Sequence, residues 1–129
     1  MNYTIDRTLK GSSFEDVVVR TKAALSKHGF GVLTEIDVKA TMKKKLDVEV
    51  DAYLILGACN PHMAYEAMKV EPKVGAMLPC NVIVRAIGAG DVTVSAIDPV
   101  ASMRAIDNGK LAILAGNVRS MLAEVIAEL

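Results

Sequence analysis

Two cysteines in matching contexts are the residues of this chain best suited to chemistry. Cys59 lies in the segment Ala58-Cys59-Asn60-Pro61-His62, and Cys80 lies in Leu78-Pro79-Cys80-Asn81. The chain has no other cysteine, and an ionised thiol can serve as a nucleophile, a redox group or a metal ligand. The repeated Cys-Asn pair therefore predicts one site, with Cys59, Asn60, His62, Cys80 and Asn81 as its candidate residues.

The residues after Cys59 are typical of the start of a helix. Asn60 is a preferred N-cap residue and Pro61 is a preferred first helical residue. The partial positive charge at a helix N-terminus favours a thiolate, and His62 lies within reach to assist it. This arrangement predicts a Cys59 thiol of lowered pKa.

Four interpretations of the two thiols are open. Both can be small buried apolar side chains, as free cysteines usually are. They can form a redox, persulfide or other sulfur-handling site, or bind a metal together with His62. They can also line a small-ligand pocket in which asparagine side chains and helix amides do the binding. A structural disulfide is disfavoured in a cytoplasmic chain. The sequence names no cofactor, because it has no Cys-x-x-Cys, Walker, His-Glu-x-x-His or Gly-x-Ser-x-Gly motif.

The strands that carry the two cysteines are predicted to be neighbours. Residues 53–58 form a nearly continuous apolar run, which is typical of a central strand covered on both faces. Residues 82–87 have the pattern of another strand. In antiparallel neighbours the end of one strand lies beside the start of the next, so Cys59 and Cys80 are expected to be close.

The remaining elements switch between strand and helix patterns. Strands are predicted at residues 3–9, 30–36 and 92–97, with a hairpin turn at residues 88–91. Helices are predicted after a Ser12–Glu15 capping box, after Asp37, from residue 98 to about 106, and from residue 110 to the C-terminus. The helix after Asp37 is predicted to turn Val38, Met42 and Leu46 inward. This order predicts an α+β fold with a mostly antiparallel sheet and short extra helices.

Length, composition and charge exclude several classes of function. Residues 1–129 are predicted to form a single domain with an aliphatic core, because aromatic residues make up only 4% of the chain. Fifteen basic residues balance fifteen acidic ones, which argues against a nucleic-acid partner. No apolar segment approaches the ~18 residues of a membrane span, so no membrane partner is expected and the protein is predicted to be cytoplasmic.

Charged residues outside the cysteine segments are predicted to be structural. The run Lys43-Lys44-Lys45 has the pattern of a solvated face, His28 that of a helix cap, and Glu124 and Glu128 that of an exposed i,i+4 pair. Arg85 lies mid-strand and is expected at the surface. The alternative is that it holds an anion, if it points to the sheet face that carries the pocket.

Several segments together resemble the bacterial and archaeal domain-of-unknown-function 302 family. They are Gly57-Ala58-Cys59-Asn60-Pro61 with the Ala-rich helix that follows, Leu78 to Val84, Ser13-Phe14-Glu15, Gly29 to Val32, and Asp98-Pro99. The resemblance covers essentially the whole chain. It implies a compact α+β fold of the TATA-binding-protein-like type, strand, helix, four further strands and a closing helix, often found as a homodimer. It implies no established reaction. The occurrence of some members near sulfur-oxidation and sulfur-carrier genes implies a link to sulfur metabolism.

Three hypotheses of function follow. The preferred one is a small soluble binding domain that handles sulfur, a metal or a small ligand at Cys59 and Cys80 without turnover, so that its partner is a small ligand or a sulfur carrier. The second is a thiol-dependent enzyme with Cys59 as nucleophile and His62 as its base. The third is a structural module with inert thiols, which forms a homodimer or binds a partner through a sheet edge or the C-terminal helix.

Overall fold

The structure is a computed structural model that describes residues 2–129, in which strands and helices alternate along most of the chain. The strands are β1 (Thr4–Lys10), β2 (Gly31–Asp37), β3 (Tyr53–Cys59), β4 (Cys80–Ile87) and β5 (Asp91–Ile97). The α-helices are α1 (Phe14–Lys27), α2 (Val38–Leu46), α3 (Pro61–Val70), α4 (Pro99–Ser102) and α5 (Gly109–Ala127), and a 3-10 helix spans Pro72–Met77. The α+β class predicted from the sequence is confirmed.

The five strands form one antiparallel sheet in the order β1-β5-β4-β3-β2. Strands β2, β3 and β4 each lie beside the next strand along the chain, whereas β1 pairs with β5. The link between β4 and β5 is the predicted turn, in which Gly88 and Gly90 have φ values of 56° and 91°. Glycine adopts this left-handed conformation without steric cost. The two strands that carry the cysteines are therefore neighbours, as expected.

Short polar side chains start the helices by accepting backbone hydrogen bonds. The N-cap residues of α2, α3, α4 and α5 are Asp37, Asn60, Asp98 and Asn108. The predicted capping box of α1 is wrong by one residue. Ser13 Oγ accepts the cap hydrogen bond from the Asp16 amide at 3.1 Å, whereas Ser12 Oγ accepts from Arg20 Nη2.

Helices α1 and α5 pack on one face of the sheet and enclose the main core. Leu25 on α1, Leu122 on α5 and Leu56 on β3 are fully buried. The buried residues of α5 recur at helical spacing, which gives the helix an apolar face toward the core. Within residues 2–129, no helix is both long enough and apolar enough to cross a membrane.

Three local predictions are wrong. Strand β3 is not covered on both faces, because helices cover the face of Leu56 while Ile55, on the other face, stays half-buried. Leu46 is 66% exposed, because α2 ends there and Asp47 takes a left-handed φ of 53°. Helix α4 ends at Ser102, and the backbone continues to Ile106 in tight turns with hydrogen bonds three residues apart.

Candidate functional site

The two cysteines end one strand and begin its neighbour. Ala58 in β3 pairs with Cys80 in β4, so Cys59 lies one residue beyond the position opposite Cys80. Successive side chains of a strand point to opposite faces. Cys59 and Cys80 therefore occupy neighbouring backbone positions, as predicted, but they do not form a directly opposed pair. Both are free thiols.

A small cavity lies where this end of the sheet meets helices α3 and α5. Its volume is about 40 Å³, enough for a molecule of a few atoms, since a single water needs roughly 10–15 Å³ by this measure. Ala58, Cys59 and Cys80 line it from the sheet, Met63 lines it from α3, and Met103 lines it from the segment after α4. Its lining is almost entirely apolar.

Asn60 positions helix α3 at the wall of this cavity. Its Oδ1 accepts a hydrogen bond from the Met63 amide at 3.1 Å, which caps the helix as predicted. Its Nδ2 lies close to Gly29, where an added β carbon would come within 3.1 Å of it. Gly29 also has a φ of 82°, which favours glycine. The Asn60 side chain therefore caps α3 and packs close to Gly29, which follows α1.

His62 and Asn81 lie outside the cavity. His62 is exposed and, among the described residues, makes no hydrogen bond or ion pair with Cys59. Asn81 follows Cys80 directly in β4, so its side chain points to the other face of the sheet, where it is exposed. The structure thus brings together three of the five candidate residues, Cys59, Asn60 and Cys80.

Both thiols have raised pKa values. Burial, with a smaller contribution from the neighbouring Cys59, raises the pKa of Cys80 to about 11. Burial also raises the pKa of Cys59. The prediction of a lowered pKa at Cys59 is wrong, because removal of the thiolate from water outweighs the effect of the nearby helix terminus. Both thiols are therefore neutral near pH 7.

Four of the residues that line the cavity contain sulfur, namely the two cysteines, Met63 and Met103. Within residues 2–129, no group of three or more His, Cys, Asp and Glu side chains is arranged to hold a metal ion, so His62 does not complete a site with the cysteines. Sequence reasoning missed both methionines. Met63 shares a helix face with Ala67 and was within reach of a helical-spacing argument, whereas Met103 arrives through tertiary packing that no local pattern signals.

A histidine–glutamate cluster joins the ends of α1 and α5, away from the cavity. His28 is the C-cap residue of α1, as predicted. Its Nε2 lies 2.8 Å from Glu128 Oε1, and its Nδ1 lies 3.3 Å from Glu124 Oε2. Glu124 and Glu128 are exposed, as predicted, and both also lie within reach of His28. The hydrogen bond with His28 lowers the pKa of Glu128.

Two other predictions about charged residues are confirmed. Lys43 Nζ pairs with Asp47 at 2.7 Å and Glu49 at 3.1 Å on a solvated surface. Arg85 is exposed, on the face of the sheet opposite the cavity. It therefore has no part in the Cys59–Cys80 site.

The comparisons with known proteins agree with this fold. The family described as "Domain of unknown function DUF302" matches residues 5–129 of the chain. The chain belongs to this family. The match includes both cysteine segments of the DUF302 chain and confirms the resemblance noted in its sequence.

A solved structure shares the fold of this DUF302 chain. It is the crystal structure of the uncharacterized conserved protein DUF302 from Bacillus stearothermophilus, with a TM-score of 0.91 and 21% sequence identity. The alignment covers 99% of this chain and 98% of that chain. At this identity the likeness shows the common fold alone. No curated protein matches the chain.

Proposed function

We propose that this DUF302 chain is a small binding domain whose cavity beside Cys80 holds a small apolar ligand without turnover. The observation that carries the proposal is the apolar cavity of about 40 Å³ between the sheet end and helices α3 and α5. Protein interiors are close-packed, and an unfilled apolar space lowers stability. A small apolar molecule that fills the space makes the missing contacts and is bound.

The state of the thiols supports binding rather than catalysis. A cysteine nucleophile needs a thiolate and a base within hydrogen-bonding reach. Burial raises the pKa values of both Cys59 and Cys80, and His62 is exposed outside the cavity. Neutral thiols beside Met63 instead make a soft, apolar wall.

Xenon is a suitable probe, because it is apolar, uncharged and of atomic size. The experiment records methyl spectra of the protein under increasing xenon pressure, with the methionine methyl groups as reporters. We expect saturable shifts at Met63 and Met103, which line the cavity, and none at Met68, which is exposed on α3. The absence of saturable shifts at Met63 and Met103 would contradict the proposal.

A matched pair of variants tests the location of the bound xenon. Ala64→Leu adds three carbons to a residue that lines the cavity, whereas Ala112→Leu adds them to an exposed residue of α5. We expect Ala64→Leu to abolish the xenon shifts and Ala112→Leu to leave them unchanged. Equal xenon binding by the two variants would place the ligand elsewhere.

A second candidate function is the binding of a soft monovalent metal, Cu(I). The presence of four sulfur-containing residues in the cavity lining, Cys59, Cys80, Met63 and Met103, favours it, because thiolate and thioether ligands select soft ions. Two of these ligands, the thioethers, bind without losing a proton.

Paired Met→Leu changes separate the two candidates, because they keep the apolar volume and remove the soft ligand. The double variant Met63→Leu, Met103→Leu is compared with Met68→Leu, using anaerobic Cu(I) titration and xenon binding. If the cavity binds only apolar ligands, the double variant retains xenon binding, and the native chain takes up no stoichiometric Cu(I). If it binds Cu(I), one equivalent binds the native chain and Met68→Leu but not the double variant.

The other sequence-based expectations stay predictions. They are the homodimer, the sulfur carrier as partner, the cytoplasmic location and the organisation as a single domain.

A further inference from the structure

The face of the sheet opposite helices α1 and α5 carries a groove of about 560 Å³, a volume typical of small-molecule sites. Its floor is strand β5, where the short side chains of Thr93 and Ser95 are only 7% and 8% exposed. Arg85 on β4 lies directly across from Thr93, and Tyr53 on β3 lies across from Arg85. Longer side chains thus flank a floor of short ones, which makes the surface concave.

Four polar side chains of the groove make no hydrogen bonds or ion pairs with other described residues. Tyr53, Asn81, Arg85 and Ser95 line it, and none of them makes a side-chain hydrogen bond or ion pair with another residue of the range 2–129. Although the Ser95 residue as a whole is 8% exposed, its hydroxyl oxygen is not among the buried side-chain atoms without a partner in residues 2–129, so it reaches solvent in the groove. By contrast, Thr93 Oγ1 on the same floor lies 3.3 Å from Thr8 Oγ1. The unused groups around Ser95 are therefore available to a partner from solution.

The groove is polarised across its width. The guanidinium of Arg85 is always charged and can bind a carboxylate or a phosphate through two parallel hydrogen bonds. The groove also contains the carboxylate of Asp6, which lies on β1. Strand β5 lies between Asp6 and the strand of Arg85. Asp6 accepts a hydrogen bond from Thr4 Oγ1 at 3.1 Å. An anion is therefore favoured on the β4 side and disfavoured on the β1 side.

We propose that this groove binds a small organic oxyanion, a carboxylate or a phosphate monoester, with the oxyanion on Arg85. The hydroxyl of Ser95 and the phenol of Tyr53 supply further hydrogen-bond donors on either side of Arg85. The site lies on the opposite face of the sheet from the cavity beside Cys80, and it does not depend on the function proposed for that cavity.

Titration of the native chain with phenyl phosphate and with benzoate, followed by amide NMR spectra, tests the proposal. We expect saturable shifts at the amides of β4 and β5 around Arg85 and Ser95. Replacement Arg85→Gln should weaken binding by about tenfold or more, because a charge-assisted pair of hydrogen bonds is lost. Replacement Asp6→Asn should strengthen binding, because it removes a repulsive charge.

The control is Lys110→Gln, which removes one positive charge from the exposed start of α5. Saturation by phenyl phosphate alone assigns a phosphate ligand, saturation by benzoate alone assigns a carboxylate, and each of these outcomes supports the site. The proposal is overturned if neither probe gives saturable shifts. It is also overturned if Arg85→Gln and Lys110→Gln weaken binding equally, since the effect would then come from net charge alone.

Discussion

At the scale of single residues, access to water decides the state of the two thiols. Cys80 is 8% exposed, and the burial that raises its pKa to about 11 also hides it from reagents. Cys59 is half-buried, and its pKa is raised as well. The cavity therefore presents two protonated, weakly nucleophilic thiols at neutral pH.

This state predicts slow alkylation. With iodoacetamide near pH 7.5, we expect both cysteines to react more slowly than the thiol of a free cysteine peptide, and Cys80 more slowly than Cys59. The rates should rise with pH as the thiolates form. Intact-mass kinetics on the native chain, Cys59→Ser and Cys80→Ser measures each thiol in turn. Alkylation of Cys59 faster than the peptide at pH 7.5 would restore the nucleophile hypothesis.

Residue-scale reasoning from the sequence located Cys59, Asn60 and Cys80 but misplaced Asn81. Successive side chains within a strand point to opposite faces, so Cys80 and Asn81 at the start of β4 point to opposite sides. Cys59 is the last residue of β3 and lines the cavity beside Ala58. Sequence patterns define the first residue of a strand poorly, so the face of each residue near that end is hard to predict. The prediction of a lowered pKa at Cys59 was wrong for another reason. The desolvation of this thiol depends on how α3 and the sheet pack around it, which no local sequence pattern indicates.

At the scale of elements, the close contact between β2, β3 and the segment before β4 depends on Gly57. A β carbon there would overlap the hydroxyl of Thr34 and lie 2.8 Å from Pro79 Cγ. The threonine can rotate, but the proline ring cannot. Gly57 therefore allows Pro79 to lie flat against β3 just before Cys80.

We expect Gly57→Ala to destabilise the fold by about 1–3 kcal/mol, the usual cost of overpacking. The matched control is Gly116→Ala in α5, where a β carbon meets nothing within 4 Å. That change should stabilise the fold by about 0.5–1 kcal/mol through helix propensity. Urea unfolding of both variants measures the free energies, and a neutral Gly57→Ala would show that Pro79 moves aside freely.

The contribution of the α1–α5 contact to stability should decrease at acidic pH. The hydrogen bond with His28 lowers the pKa of Glu128 below its ordinary value of 4.5. A carboxylate with a lowered pKa stabilises the fold above pH 4.5, and this contribution is lost as the pH falls through the lowered value.

We therefore expect Glu128→Gln to lower the melting temperature slightly at pH 7 and to have no effect near pH 2, where roughly all carboxylates are protonated. Glu66→Gln is a suitable control, because Glu66 pairs with Lys69 on the exposed surface of α3. Thermal unfolding at both pH values gives the comparison. An equal loss at pH 7 and pH 2 would mean that Glu128 acts through packing instead of charge.

At the scale of the whole molecule, one layer of helices on one side of a sheet leaves two different surfaces. The helical side holds the core and the small apolar cavity. The open side holds short polar side chains on β5 and the charge of Arg85, which has no ion-pair partner in the described part of the chain. An antiparallel sheet commonly has this division between a buried and a solvated face.

The stability of the molecule should depend most on the helical side. Leu122 of α5 is fully buried against the sheet, whereas Leu33 of β2 is 65% exposed. We expect Leu122→Ala to reduce the free energy of unfolding by about 2–5 kcal/mol and Leu33→Ala to change it by less than about 0.5 kcal/mol. Urea unfolding measures both. Similar losses for the two variants would contradict the assignment of the core to this face.

The sequence predicted the local steps of the fold better than its distant contacts. The turn at Gly88 to Gly90 and the cap at Asn60 have short-range signals, and both were found. The one-sided cover of β3 was missed, since residues 53–58 are apolar enough to suit either arrangement. Nothing local indicates that β1 lies beside β5, or that Met103 reaches the cavity.

The pairing of β1 with β5 has a consequence for how the chain folds as it is synthesised. Thr4 pairs with Ile97, and Arg7 Nη1 donates to the Ala127 carbonyl at 2.7 Å, so β1 meets β5 only after residue 97 has been made and meets the end of α5 only after residue 127. Such long loop closures slow folding. Until then β1 is an unpaired strand that another chain could capture. A ribosome-bound chain is therefore expected to pair the sequential strands β2, β3, β4 and β5 first and to add β1 last.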